Sequence, residues 1–232
     1  ENIFKIRNKN FKKIIQIDNK IEDIEMKKSI LQIRKDGFSS ISNLVKFEES
    51  EVKEVNKYLR LKKMYNGHDP MQSDLKLINY NEIYSNNVVH EIFNKGYFSF
   101  DVETSLGNHI IKNLFFNEKL KKLADLYCGF ETEPYTISTM LNIKKEILHP
   151  VAEFHRDTDD FISLGFFIYW SETNKNNGST CYKTGTHLFS DLKNNINIDK
   201  HIEVKAGTIV AGDWMGLHRG NQKMEESERL IT

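Results

Sequence analysis

The residues with the most chemistry to offer gather in Phe154-His155-Arg156-Asp157-Thr158-Asp159-Asp160, between a polar loop and the apolar run from 161 to 170. In an extended strand alternate side chains share a face, so His155 and Asp157 point one way, about 7 Å apart along the strand, and Arg156 points the other. An imidazole and a carboxylate on one face become a metal site once a third ligand joins them. The candidate is His218, sixty-one residues after Asp157, in Gly212-Asp213-Trp214-Met215-Gly216-Leu217-His218-Arg219-Gly220. Two imidazoles and one carboxylate on one side of a divalent ion leave coordination positions open, the facial arrangement associated with non-haem iron(II) oxygenases. Open positions admit O2 and a chelating cosubstrate. Arg229, eleven positions after His218, offers a permanently charged, two-pronged grip on a carboxylate, which suits the distal carboxylate of 2-oxoglutarate.

Taken together these pieces resemble the iron(II)/2-oxoglutarate oxygenases of the phytanoyl-CoA dioxygenase family. The resemblance rests on His155-x-Asp157, then Asn177-Gly178-Ser179 leading to Thr184-Gly185-Thr186-His187, then Gly207 and Gly212-Asp213 before His218, then Arg229, and it covers residues 130 to 232. It implies Fe(II) on His155, Asp157 and His218. It also implies 2-oxoglutarate chelating that iron, with its far carboxylate on Arg229. Asn142, thirteen positions before His155, sits where some members place a polar residue against the cosubstrate. One departure matters: many members carry Ser two positions after the distal His, and here that position is Gly220. The implied reaction converts 2-oxoglutarate and O2 to succinate and CO2 while a substrate C–H bond is oxidised. Family halogenases replace the carboxylate ligand with a small residue, so Asp157 implies hydroxylation of a small-molecule substrate. The wording from His155 to Phe161 is similar to that of members encoded among surface-polysaccharide genes, which favours a saccharide or other small polar metabolite.

Each signal alone has a plainer reading. His-x-Asp pairs arise by chance, and a lone His on an apolar strand is more often a satisfied core residue; specificity comes from the combination. Two alternatives stay open from the residues themselves. One is a cupin-like metal enzyme that uses no keto acid. The other is a non-catalytic jelly roll binding a sugar or a partner, with the His and Asp residues serving only as hydrogen-bonding groups. His68, His90, His109, His149 and His187 read as turn, packing or structural residues, and Arg156 and Arg219 as members of ion pairs.

The 33 basic and 33 acidic residues of the 232-residue chain cancel, so no overall basic field recruits nucleic acid or an anionic membrane. No apolar run approaches the length of a membrane span, and no secretory signal is visible. Two cysteines, Cys128 and Cys181, in no metal-type pair, fit a reducing cytoplasm better than a disulfide framework. The sequence carries no signal of oligomeric state.

The elements that must position the site follow from periodicity. One oxygenase domain is expected over 1–232, with a helix-rich part to residue 130 and a metal-binding jelly-roll core from 131. Apolar residues at helical spacing predict amphipathic helices over 11–35, stopped at Gly37, and over 49–64. A short strand is expected over 38–45, a further helix over 82–93, a strand over 96–102, and a helix over 118–128 capped by Asn117 and closed by Gly129. From Pro134 the period becomes two, placing Asn142 on the polar face of a strand. The run from 161 reads as a strand covered on both faces, with 174–178 as a hairpin turn returning through 179–184. Strands over 201–204 and 207–211, a turn presenting His218 and a last strand from Arg229 complete a double-stranded β-helix, mainly β with flanking helices.

Overall fold

The computed structural model describes residues 21–67, 76–83, 96–143, 153–157, 162–188, 198–220 and 227–232. Helix α1 (Ile24–Asp36) is capped by the Asp23 carboxylate, which accepts from Met26 N at 3.0 Å. It ends on Gly37 at φ 95°, a left-handed conformation that glycine adopts without strain. Its inner stripe, Met26, Ile30 and Ile33, is buried. Strand β1 (Phe38–Ser40) is shorter than expected, because residues from Ile41 turn away after pairing with the sheet.

Helix α2 (Glu49–Arg60) buries Val52, Val55 and Leu59 but stops before Leu61, which is 76% exposed. The expected continuation to residue 64 is instead strand β2 (Lys63–Tyr65), which buries Met64 and pairs with β3 (Leu77–Asn79). Of the helix expected over 82–93, the described residues show a single 3-10 turn (Tyr80–Glu82). Strand β4 (Tyr97–Phe100) leads into the short helices α3 (Val102–Leu106) and α4 (His109–Phe115). Helix α5 (Glu118–Cys128) has the expected ends, with Asn117 accepting from Lys119 N and Leu120 N and Gly129 closing it.

The remaining strands are β5 (Thr139–Ile143), β6 (Gly165–Tyr169), β7 (Thr180–Lys183), β8 (Asp199–Ile202), β9 (Thr208–Gly212), β10 (His218–Gly220) and β11 (Glu228–Ile231). They form an antiparallel eight-stranded sheet in the order β1-β9-β6-β11-β5-β4-β2-β3 and a three-stranded sheet in the order β10-β7-β8. The turn at 174–178 reverses the chain as its composition predicts, yet it is no hairpin. Its flanking strands β6 and β7 lie in different sheets, so the turn carries the chain across the sandwich.

Alternation along the large sheet sends its side chains two ways. Ile168, Trp170, Ile209, Ala211, Leu141 and Leu230 join α1, α2, α4 and α5 in the main core. Tyr169, Val210 and Ile231 face the small sheet and meet Tyr182, Ile202 and Trp214. This is the jelly-roll architecture, with helices covering one sheet. No helix among the described residues is long and apolar enough to cross a membrane.

Candidate metal centre

The centre is built on backbone pairing. His155 and His218 form an antiparallel bridge, His155 N donating to His218 O at 2.9 Å and His218 N to His155 O at 3.0 Å. Directly opposed residues of an antiparallel pair share a face, which brings the two ring centroids to 4.5 Å. Asp157 returns to the same face two residues on, its N–H donating to Trp214 O at 3.0 Å. Its carboxylate lies 3.7 Å from His155 Nε2 and 3.5 Å from His218 Nε2. One ligand atom from each residue falls within 4.8 Å of the others. Ligands bonded at about 2.1 Å and set at right angles lie about 3 Å apart, so small side-chain motions suffice to share an ion.

The rings are already turned for this. Each histidine directs Nδ1 at the carbonyl two residues before it, His155 at Glu153 O (2.8 Å) and His218 at Gly216 O (2.9 Å). A carbonyl on Nδ1 fixes the proton there and leaves the Nε2 lone pair for a metal. Burial pushes the pKa of His218 below the ordinary imidazole value, and Asp157 pulls it back up. The neutral, ligating form is favoured beneath the site, where the His218 side chain is 5% exposed, while Asp157 at 41% marks the solvent side. The donor set of two nitrogens and one oxygen, with no thiolate, suits a divalent first-row ion such as Fe(II).

Several side chains hold the loop that presents His218. Asp213, fully buried, accepts from Tyr127 Oη at 2.5 Å and from Met215 N at 3.2 Å. Tyr182 donates its hydroxyl to Asp213 O at 2.6 Å. Trp214 stacks on Phe167 (centroids 3.9 Å, 14° between planes) and meets the His218 ring edge-on at 5.2 Å. Glycines make room: a Cβ on Gly165 would come within 2.3 Å of the indole. Asp213 belongs to the Gly-Asp signal of the sequence, but nothing in the sequence marked Tyr127, Tyr182 or the carbonyls of Glu153 and Gly216.

Arg229 lies on β11, 7% exposed, between the sheets on the side of Ile231. Its Nη1 donates to Gly178 O. Its other edge meets Asn142, its register partner on β5, whose amide oxygen accepts from Nη2 at 2.8 Å and Nε at 3.1 Å. Among the described residues no carboxylate pairs with this guanidinium, and a buried charge left without a counterion is costly. A guanidinium in that state is suited to pair with an anion. Asn142 therefore touches Arg229, a contact the sequence did not suggest.

The other candidates are accounted for. Arg156 donates to the backbone carbonyls of Thr186 and Met215, a brace of the His218 loop. Arg219 lies over the Phe154 ring at 4.4 Å. His187, in the Thr184–His187 turn, is buried with Nε2 at 3.1 Å from Arg34 O, and His109 approaches Glu54 at 3.3 Å. His68, His90 and His149 lie outside the described residues.

No protein-family model matches the chain, and no curated protein matches it in sequence. Solved structures do. EctD from S. alaskensis with bound Fe aligns with a TM-score of 0.58 at 14% identity, covering 91% of this chain and 76% of that one. The non-heme alpha ketoglutarate dependent epimerase SnoN from nogalamycin biosynthesis aligns at 0.56 and 13%, covering 89% and 80%. HygX from Streptomyces hygroscopicus, with nickel, 2-oxoglutarate and hygromycin B bound, aligns at 0.53 and 13%, covering 88% and 84%. At these identities the likeness shows the fold: a double-stranded β-helix of the kind that non-heme, 2-oxoglutarate-dependent enzymes are built on.

Proposed function

We propose that this chain, as a single unit, is an iron(II)- and 2-oxoglutarate-dependent oxygenase of the phytanoyl-CoA dioxygenase type that hydroxylates a small polar metabolite. The observation that carries the reading is the His155–His218 bridge with Asp157 between the two rings, Nε2 atoms inward and Nδ1 atoms held by carbonyls. The buried, uncompensated Arg229 supports the cosubstrate. Bound iron and 2-oxoglutarate supply the oxidising chemistry, consuming O2 and releasing succinate and CO2.

The protein's own part is positional. His155, Asp157 and His218 hold one side of the ion and leave the other side open. Arg229, steadied by Asn142 and Gly178 O, receives the far carboxylate of the cosubstrate. Asp157, exposed at the mouth, fills the position a halide would need, which favours hydroxylation. HygX holds hygromycin B on this fold, which supports a polar, sugar-like substrate. SnoN is an epimerase, so products must be identified by mass and by stereochemistry.

The test is a screen of sugars, nucleotide sugars and other polar metabolites for stimulated succinate formation by iron-loaded protein. A hit whose product gains one oxygen, and which Asp157→Ala fails to turn over, is the expected result. Iron-loaded protein that makes no succinate above background, with or without any candidate, contradicts the reading.

A further inference from the structure

The turn from Thr184 to His187 supplies none of the three candidate ligands, yet Thr186 within it is tied to both stretches that do. Its side chain is buried, at 1% exposure. Its Oγ1 donates to Lys183 O at 2.7 Å, at the end of β7, and accepts from Leu217 N at 2.7 Å, in the residue before His218. Its carbonyl accepts from Arg156 Nη1 at 2.9 Å, in the residue between His155 and Asp157. A hydroxyl has one proton to give and lone pairs to receive. With the proton committed to Lys183 O, a lone pair is left for the Leu217 N–H.

The bond to Leu217 matters because of what lies across the peptide. The Leu217 N–H and the Gly216 C=O belong to one planar unit and point to opposite sides of it. Gly216 O is the atom that faces His218 Nδ1 at 2.9 Å. Thr186 therefore holds one edge of the peptide whose other edge holds the imidazole. Gly216 carries no Cβ, so its own backbone does little to stop that peptide from turning. Once turned, it offers Nδ1 no carbonyl, and the proton is free to settle on Nε2, the atom needed for the metal.

Resting on His218 as a metal ligand in the proposed function, we infer that Thr186 is a positioning residue for the metal centre. Its hydroxyl locks the Gly216–Leu217 peptide and, through it, the His218 ring with the proton on Nδ1 and the Nε2 lone pair toward the ion. His155 takes its carbonyl from Glu153, in a separate peptide, so the effect is confined to one of the two imidazoles.

The test uses the full chain, metal-free and isotope-labelled at the histidine nitrogens. Proton–nitrogen NMR correlations across each ring distinguish Nδ1–H from Nε2–H, and His218 is assigned by the signals lost in His218→Asn. Thr186→Val removes the hydroxyl at nearly constant size, and Thr186→Ser keeps it. The expected result is Nδ1–H at His218 in the wild type and a mixture with Nε2–H in Thr186→Val. The calorimetric Kd for Ni(II) rises about tenfold in the same variant. Thr186→Ser restores both, and His155 keeps its proton on Nδ1 throughout. A Thr186→Val protein that keeps either the His218 tautomer or the nickel Kd of the wild type, or in which both imidazoles change together, overturns the inference and leaves the proposed function standing. Wild type that binds no nickel, while Thr186→Val still shifts the tautomer, overturns the proposed function and leaves the peptide lock in place. If Thr186→Val does not fold, hydrogen exchange at the Leu217 amide of the wild type decides: protection is expected, and exchange at the rate of an open amide overturns the inference.

Discussion

His155 and His218 exchange both backbone hydrogen bonds across one antiparallel bridge, at 2.9 and 3.0 Å, so the residues that converge on the candidate metal site are set opposite each other by the main chain. The sixty residues between Asp157 and His218 close on this contact, and strand alternation returns Asp157 to the same side. Side-chain packing then only has to turn the rings.

Removing the carboxylate leaves two nitrogens, too few to hold a divalent ion tightly. Asp157→Ala is expected to lower metal affinity by more than about a hundredfold, since loss of partners one shell further out already costs about 10–100-fold. Thermal stability of the metal-free protein should hold, because Asp157 is 41% exposed. Metal titration together with a melting curve checks both parts.

The loop presenting His218 tolerates no side chain at Gly216, where a Cβ would lie 1.7 Å from the Tyr182 hydroxyl. That hydroxyl is committed to Asp213 O, so it has nowhere to retreat without releasing the loop. Gly216→Ala is expected to destabilise the fold by about 1–3 kcal/mol and to weaken metal binding with it. Unchanged denaturant midpoint and metal affinity would count against this account of the loop.

Acid should act on the metal-free protein through His218, whose pKa burial lowers from 6.5. Below that value the unfolded chain takes up a proton that the folded state resists. Stability is therefore full above pH 6.5 and falls as pH drops, by at most about 1.4 kcal/mol per unit. Urea unfolding between pH 7 and 5 measures the slope, which His218→Asn should flatten.

Arg229→Lys keeps the buried charge and loses the two-pronged edge that Asn142 now occupies. Binding of 2-oxoglutarate to the metal-loaded variant is expected to weaken by about tenfold to a hundredfold, with metal affinity unchanged. A calorimetric comparison with wild type decides it.

The local parts of this structure were legible. Gly37, Asn117 and Gly129 end or cap helices because capping depends on the few residues at each end, whereas the Asp23 cap, inside a run of helical spacing, was not marked. The three candidate ligands could be picked out because their residue types are rare in such combination. Long-range pairing was hidden. The turn at 174–178 has hairpin composition, but β6 takes β9 and β11 as neighbours because Ile168 and Tyr169 are buried on opposite faces of the large sheet. Helical spacing ran on past Arg60 for the same reason, since burying Met64 in the sheet outweighs continuing the helix. The two-residue alternation from Tyr135 began before any strand partner was present, and Tyr135 is 66% exposed. The carbonyls that orient the rings are backbone atoms, which no residue type announces.

The most direct test of the metal centre is an anaerobic titration of the protein with Fe(II) and then 2-oxoglutarate, followed by visible absorption. One iron per chain, and a weak charge-transfer band that appears on adding 2-oxoglutarate and is lost in His218→Ala and Asp157→Ala, is the predicted result. Folded wild type that neither binds iron saturably nor develops the band, or variants that bind iron as tightly as wild type, would contradict it.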